Sequence, residues 1–214
     1  MHVPMKYEQP FGGSDGTYSS ANDVFKLDVE AIDAAFTERT KALIINSPQN
    51  PTGKVLSPAE MRELTDCLDS KSSSIVVVSD EVYENIMFDG ESHVSFAAFN
   101  NCENYHRTLT LSTIGKTFSC TGWKVGWAVG PSHLIKPVAQ AQQWVVFTAP
   151  TPTQDTAAAC LRKAREPYDG FPSYYAWLSS EYASKRALCA SALQECGIDA
   201  HLPRFLHLRK HGGN

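Results

Sequence analysis

The stretch Ser112–Trp127, STIGKTFSCTGWKVGW, places two lysines among glycines, hydroxyls and aromatics. Lys116 follows the strand-like run TLTLS by a short hydroxyl-and-glycine link. A lysine held partly out of water presents more of its neutral amine, the form that condenses with a carbonyl. Gly115 keeps the approach to that amine clear of a side chain. Lys124, beside the hydroxyls of Thr113 and Thr117, offers a point charge for a phosphate. Two more clusters follow strand-like runs. Asp80-Glu81-Val82-Tyr83 ends IVVVS, and a carboxylate at the end of an apolar strand is costly unless donors or a cation meet it. Asn46-Ser-Pro-Gln-Asn50-Pro-Thr-Gly53 follows ALIIN, and its prolines and glycine fix a loop that aims Asn50. Each cluster has a plainer reading: a rigid turn for Asn50, a capping carboxylate for Asp80, solvated loop lysines for Lys116 and Lys124. Taken together, an acid, a phenol, an amide, an amine, and a hydroxyl beside a second cation are what a phosphorylated aromatic aldehyde would use.

These groups must be carried by elements of two kinds. Short apolar runs at Ala42–Asn46, Ile75–Ser79, Thr108–Ser112 and Val125–Gly130 are β-rich and unbroken by charge, as in strands buried on both faces of a mostly parallel sheet. Helical spacing marks Asp28–Thr37 through Val29, Ile32, Ala35 and Phe36. Ser57, Pro58 and Glu60 form a capping box with proline at the first helical position, ahead of Met61, Leu64 and Leu68. Pro131–Val146 reads as a helix with a break at Pro137. Thr153–Ala164 is an alanine-rich helix, and Ser173–Cys196 a long one stopped by Gly197. Strands alternating with helices predict an α/β fold, a central mostly parallel sheet flanked by helices. In such sheets ligands gather at the carboxyl ends of the strands, where all three clusters fall.

Composition narrows the function classes. The 214 residues carry a formal net charge of −4, against the basic excess of a nucleic-acid surface. No apolar run approaches a membrane span. The 6 cysteines include no C-x-x-C pair and read as reduced thiols. His201, His207 and His211 have no metal-ligand spacing, so no metal is expected. No strand is followed by G-x-G-x-x-G or a P-loop, which ranks a nucleotide-binding module last.

NxPxNPTG, SDEVY and STIGK…TGWKVGW, in this order and spacing, resemble the large domain of the fold-type I pyridoxal-phosphate aminotransferases of class I/II. RTKALIINSPQNPTGKV, SDEVYENIMFDG, GKTFSCTGWKVGWAVGP and VFTAPTPTQ are most similar to the kynurenine aminotransferase and cysteine-S-conjugate β-lyase branch. The resemblance implies pyridoxal 5'-phosphate as cofactor. It implies that Lys116 forms the Schiff base, Asp80 pairs with the pyridine nitrogen, and Tyr83 and Asn50 bond the ring hydroxylate. It implies that Lys124 contacts the phosphate, and that Thr113 stands where the family commonly has serine. Phe147 resembles a residue lining the partner subunit's substrate pocket. The expected substrates are an amino acid and a 2-oxo acid, with a homodimer as the full-length form, cytoplasmic or mitochondrial.

Relatives in that family carry a long preceding segment and a C-terminal domain with a carboxylate-binding arginine, whose role Arg204 and Arg209 come too early to take. The expected organisation is a partial cofactor-binding large domain over residues 1–170, a long helix over 171–203 leading to a largely missing small domain, and an aberrant tail over 204–214. The chain is thus expected to be an incomplete fragment, poorly active alone. The alternative is a non-catalytic truncated isoform that binds cofactor or dimerises.

Overall fold

The computed structural model describes residues 1–3, 5–7, 25–71, 74–88, 90 and 92–198; Arg204, Arg209, His201, His207 and His211 lie outside the described residues. Two short strands, β1 (Lys6–Tyr7) and β2 (Phe25–Lys26), pair antiparallel. Among the described residues the main sheet has four strands: β3 (Ala42–Asn46), β4 (Val76–Asp80), β5 (Thr108–Thr113) and β6 (Gly126–Val129), in the order β3-β4-β5-β6. The first two ladders are parallel and the last antiparallel, so the sheet is mixed but mostly parallel.

Among the described residues five longer helices flank it: α1 (Val29–Ala35), α2 (Pro58–Asp69), α3 (Ser132–Val145), α4 (Thr151–Lys163) and α5 (Tyr174–Glu195). The α2 capping box forms as its sequence predicts, with Ser57 Oγ accepting from the Glu60 N–H and the Glu60 carboxylate accepting from the Ser57 N–H. At the end of α5 the N–H of Ile198 donates to the Leu193 carbonyl and that of Gly197 to the Gln194 carbonyl, with Gly197 at φ +68°. This is a Schellman termination, and its positive φ explains the glycine.

The expected break at Pro137 does not occur: α3 runs through it from Ser132 to Val145. The proline lies in the second turn, where its missing N–H removes a single intrahelical bond, too little to end an otherwise regular helix. The second predicted strand is displaced by one residue, making Asp80 the last residue of β4 itself.

One face of the sheet carries the main core. Ile45, Val77 and Ile75 pack with Ile32 of α1, with Met61, Leu64 and Leu68 of α2, and with Phe96. The other face is open at its β3 edge, where Ile44 is 73% exposed. A smaller cluster joins Ile86 and Phe88 to Leu178 of α5, with Tyr83, Tyr174, Trp177 and Tyr182 packed against it. A third joins Ile114 and Val125 to Ala157 of α4. Through these two clusters α5 and α4 brace the segments that follow β4 and β5.

Lys54 and Glu60 form a buried pair at 2.8 Å that ties the loop after β3 to the start of α2. Burial pushes the Glu60 carboxyl up, but the Lys54 ammonium and the N–H groups of Ser57 and Leu27 outweigh it and hold the acid below its usual range.

Candidate active site

The three clusters open at the carboxyl ends of β3, β4 and β5. Register brings them together: Asn46 lies opposite Asp80, and Asp80 opposite Leu111. The Asn46 amide then connects two clusters. Its Nδ2 donates to the Asp80 carbonyl at 2.9 Å, and its Oδ1 accepts the Asn50 N–H at 2.9 Å. The Ser47 N–H also donates to the Asp80 carbonyl, at 3.1 Å. The loop is further closed by the Gly53 N–H on the Gln49 carbonyl and by the Thr52 hydroxyl on the Gln49 side chain.

So held, Asn50 directs Nδ2 to the Tyr83 hydroxyl at 3.1 Å. The Lys116 ammonium lies 5.7 Å from the centre of the Tyr83 ring, within cation–π range. Asn50, Tyr83 and Lys116 line one cavity of about 330 Å³, together with Ile86, Gly115, Ser119, Thr121 and Tyr182. Amide, phenol and amine are thus assembled in one hollow. Lys116 is half-buried in a short helical turn, Ile114–Thr117, directly after β5. Tyr174 of α5 supports that turn: its hydroxyl donates to the Thr117 carbonyl at 3.0 Å and its ring stacks on Phe118 at 5.2 Å.

Other expected site residues stand apart from the hollow. Asp80 is half-buried at the end of β4 and accepts the Val82 N–H at 3.3 Å, as a turn-capping carboxylate does. The deeply buried acid of the SDEVY run is instead Glu81, only 1% exposed. The Thr113 hydroxyl works inside its own turn, donating to the Val125 carbonyl at 2.6 Å and accepting the Gly115 N–H at 3.1 Å. Lys124 is exposed in a left-handed conformation after the turn Thr121–Trp123. Phe147 is 76% exposed just beyond α3.

Gly115 has a second reason besides clearing the amine. A Cβ there would lie 3.1 Å from the Thr121 Cα, so the glycine lets the Lys116 turn close onto the next one. Asn46, Glu81 and Gly126 were not singled out in sequence. A Cβ on Gly126 would meet the Ser112 carbonyl at 2.8 Å, so β6 can approach β5 only with glycine there. The one sequence signal for Asn46 was its place at the end of an apolar strand, the same position in β3 that Asp80 occupies in β4.

The family model for aminotransferase class I and II matches residues 7–206, nearly the whole chain. The chain belongs to the class I and II aminotransferases. It is 40% identical over 193 residues to kynurenine–oxoglutarate transaminase of Dictyostelium discoideum, a match covering 90% of this chain and 42% of that protein. It is 37% identical over 186 residues to human kynurenine–oxoglutarate transaminase 1, covering 87% of this chain and 43% of that one. Among solved structures, N-succinyldiaminopimelate aminotransferase from Mycobacterium tuberculosis superposes with a TM-score of 0.76 at 38% identity, covering 85% of this chain and 44% of that one. The aromatic aminotransferase from Pyrococcus horikoshii gives 0.73 at 32% identity, covering 85% and 46%. This aminotransferase chain therefore spans less than half the length of these relatives, and shares their fold over that part. Among the described residues no helix is long and apolar enough to cross a membrane.

Proposed function

We propose that the whole protein is a pyridoxal-phosphate aminotransferase that moves the amino group of an aromatic or sulfur-containing L-amino acid, kynurenine- or glutamine-like, to a 2-oxo acid. The convergence of Lys116, Tyr83 and Asn50 on one cavity carries this reading. The residues fit the cofactor by their chemistry: an amine for an aldehyde, and a phenol and amide as paired donors for a ring oxygen. Pyridoxal phosphate, when bound, supplies a carbonyl that captures amines and a ring that accepts electrons.

The chain's own groups do the rest. Lys116 Nζ would be the amine that bonds the cofactor's aldehyde and, when free, the base that takes the Cα proton of the amino acid. Tyr83 Oη and Asn50 Nδ2, 3.1 Å apart, would bind and orient the ring oxygen. Asp80, on the strand between the Asn50 loop and the Lys116 turn, is assigned to the protonated ring nitrogen through a charge-assisted hydrogen bond. Lys124 and the Thr113 hydroxyl are assigned to the phosphate; Thr113 must release the Val125 carbonyl to donate there. A substrate bearing a sulfur leaving group at Cβ would be open to elimination by the same proton abstraction.

The assembly is proposed to be a homodimer, with Phe147 reaching the partner's substrate pocket. Trp144, Val145 and Phe147 are 86%, 79% and 76% exposed, an apolar end of α3 suited to such a contact. That exposure equally favours the second reading, a non-catalytic cofactor-binding or dimerising partner, which is distinguished by an isolated chain that pairs but does not turn over substrate.

The deciding experiment adds pyridoxal phosphate to the chain, reduces with borohydride and maps the label. Label confined to Lys116, and lost in Lys116→Ala, is the expected result. Label spread evenly over surface lysines refutes the assignment.

A further inference from the structure

Asp80 and Glu81 are consecutive, and the alternation of an extended strand turns their carboxylates to opposite faces. Pairing with β5 continues through this point, since the Glu81 N–H donates to the Leu111 carbonyl at 2.9 Å. Glu81 is buried and saturated. Its Oε1 accepts from the Ser79 hydroxyl at 2.7 Å, the Ser95 hydroxyl at 3.0 Å and the Phe96 N–H at 3.1 Å. Its Oε2 meets His93 Nε2 at 2.8 Å. A carboxylate only accepts, so Nε2 must carry the proton of that contact.

A buried acid is a poor way to gain stability, because an apolar side chain of the same volume serves as well or better. The arrangement also leaves His93 Nδ1 buried with no hydrogen-bond partner among the described residues. What this costly cluster achieves is geometric. It joins the end of β4 to the distant segment 93–96, while Asn46 and Ser47 hold the Asp80 carbonyl from the other side. The Asp80 carboxylate stands just before these two anchors and the Tyr83 hydroxyl two residues after them.

We propose that Glu81 is a positioning residue, whose four hydrogen bonds to Ser79, His93, Ser95 and Phe96 fix the Asp80–Tyr83 segment against the cofactor ring. This rests on the cofactor assignment made above. Glu81→Ala removes all four bonds. Glu81→Gln keeps an acceptor for Ser79, Ser95 and Phe96, and its amide satisfies His93 when the ring adopts its other tautomer.

The test uses the full chain, reading the dissociation constant for pyridoxal phosphate, the pH midpoint of the visible absorbance of the bound cofactor, and borohydride labelling of Lys116. Glu81→Ala is expected to weaken binding about tenfold or more, the equivalent of one well-made charged hydrogen bond. It should also move the pH midpoint in the direction that Asp80→Asn moves it, while Glu81→Gln restores both to within about threefold. A role in general stability alone lowers the melting temperature and leaves the midpoint where it was. If Glu81→Ala does not fold, Ser79→Ala and Ser95→Ala, each removing one donor, carry the test, and an intermediate shift in both is expected. A labelled parent chain whose Glu81→Ala, or both serine variants, keeps the parent affinity and midpoint overturns this inference alone. An unlabelled parent overturns the cofactor assignment and this inference with it.

Discussion

Replacing Asn46 by alanine tests how the site is held. The substitution removes the hydrogen bond to the Asp80 carbonyl and the one from the Asn50 N–H, each 2.9 Å long. Neither partner is left deep in the protein: the Asp80 carbonyl keeps the Ser47 N–H at 3.1 Å, and Asn50 is an exposed residue. The cost is therefore the net value of two ordinary hydrogen bonds, about 1–3 kcal/mol in all. For a domain of this size that lowers the melting temperature by about 2–12 °C. The consequence for binding is separate. With its backbone released, Asn50 no longer holds Nδ2 at the Tyr83 hydroxyl, and about tenfold of cofactor affinity should be lost. Thermal unfolding by circular dichroism and titration with pyridoxal phosphate measure the two effects on one preparation. A lowered melting temperature with unchanged affinity would refute the claim that Asn46 aims Asn50; an unchanged melting temperature would refute the hydrogen bonds themselves.

Glu60 has a depressed carboxyl pKa in the folded chain, so its contribution is present above the unfolded value near 4.5 and is lost as pH falls below it. Glu60→Gln should cost about 1.5–3 kcal/mol at pH 7, the value of a hydrogen bond to a charged group, and flatten the acid limb of a stability–pH curve; an unaltered limb would count against the pair. Gly126→Ala drives a methyl into the Ser112 carbonyl and should destabilise by about 1–3 kcal/mol, visible in the denaturant midpoint, whereas a neutral result would show that β6 can move away. The Cys67 thiol is pushed up to about 11 by burial and by its hydrogen bond to Asp33. Against an ordinary thiol of 9.0 its alkylation at pH 8 should be about a hundredfold slower, while exposed Cys102, Cys189 and Cys196 react first in a mass-spectrometric time course.

The four strands of the main sheet were legible because each is a short run of apolar β-formers between turn residues, and α2 because Ser57, Pro58 and Glu60 spell out its start; β1 and β2, two residues each, are too short to show a pattern. Pro137 misled because one missing N–H looks the same in sequence whether or not the helix tolerates it. The hollow holding Lys116, Tyr83 and Asn50 was legible in outline, since each follows a strand. Its supports were not. The bond from Asn46 to Asp80 exists only because β3 and β4 pair in a particular register. The donors to Glu81 lie up to 15 residues away, with no periodicity to advertise them. Thr113 showed a hydroxyl but not that the Val125 carbonyl already engages it.

Every strand of the parallel pairs points its carboxyl end the same way, so Asn50, Tyr83 and Lys116 all lie away from the opposite rim of the sheet. The link from α1 to β3 passes along that rim, with Thr37, Glu38 and Arg39 all in water. A foreign peptide spliced between Glu38 and Arg39 would hang from the far side of the molecule, which makes this corner the natural handle for tethering or labelling the protein.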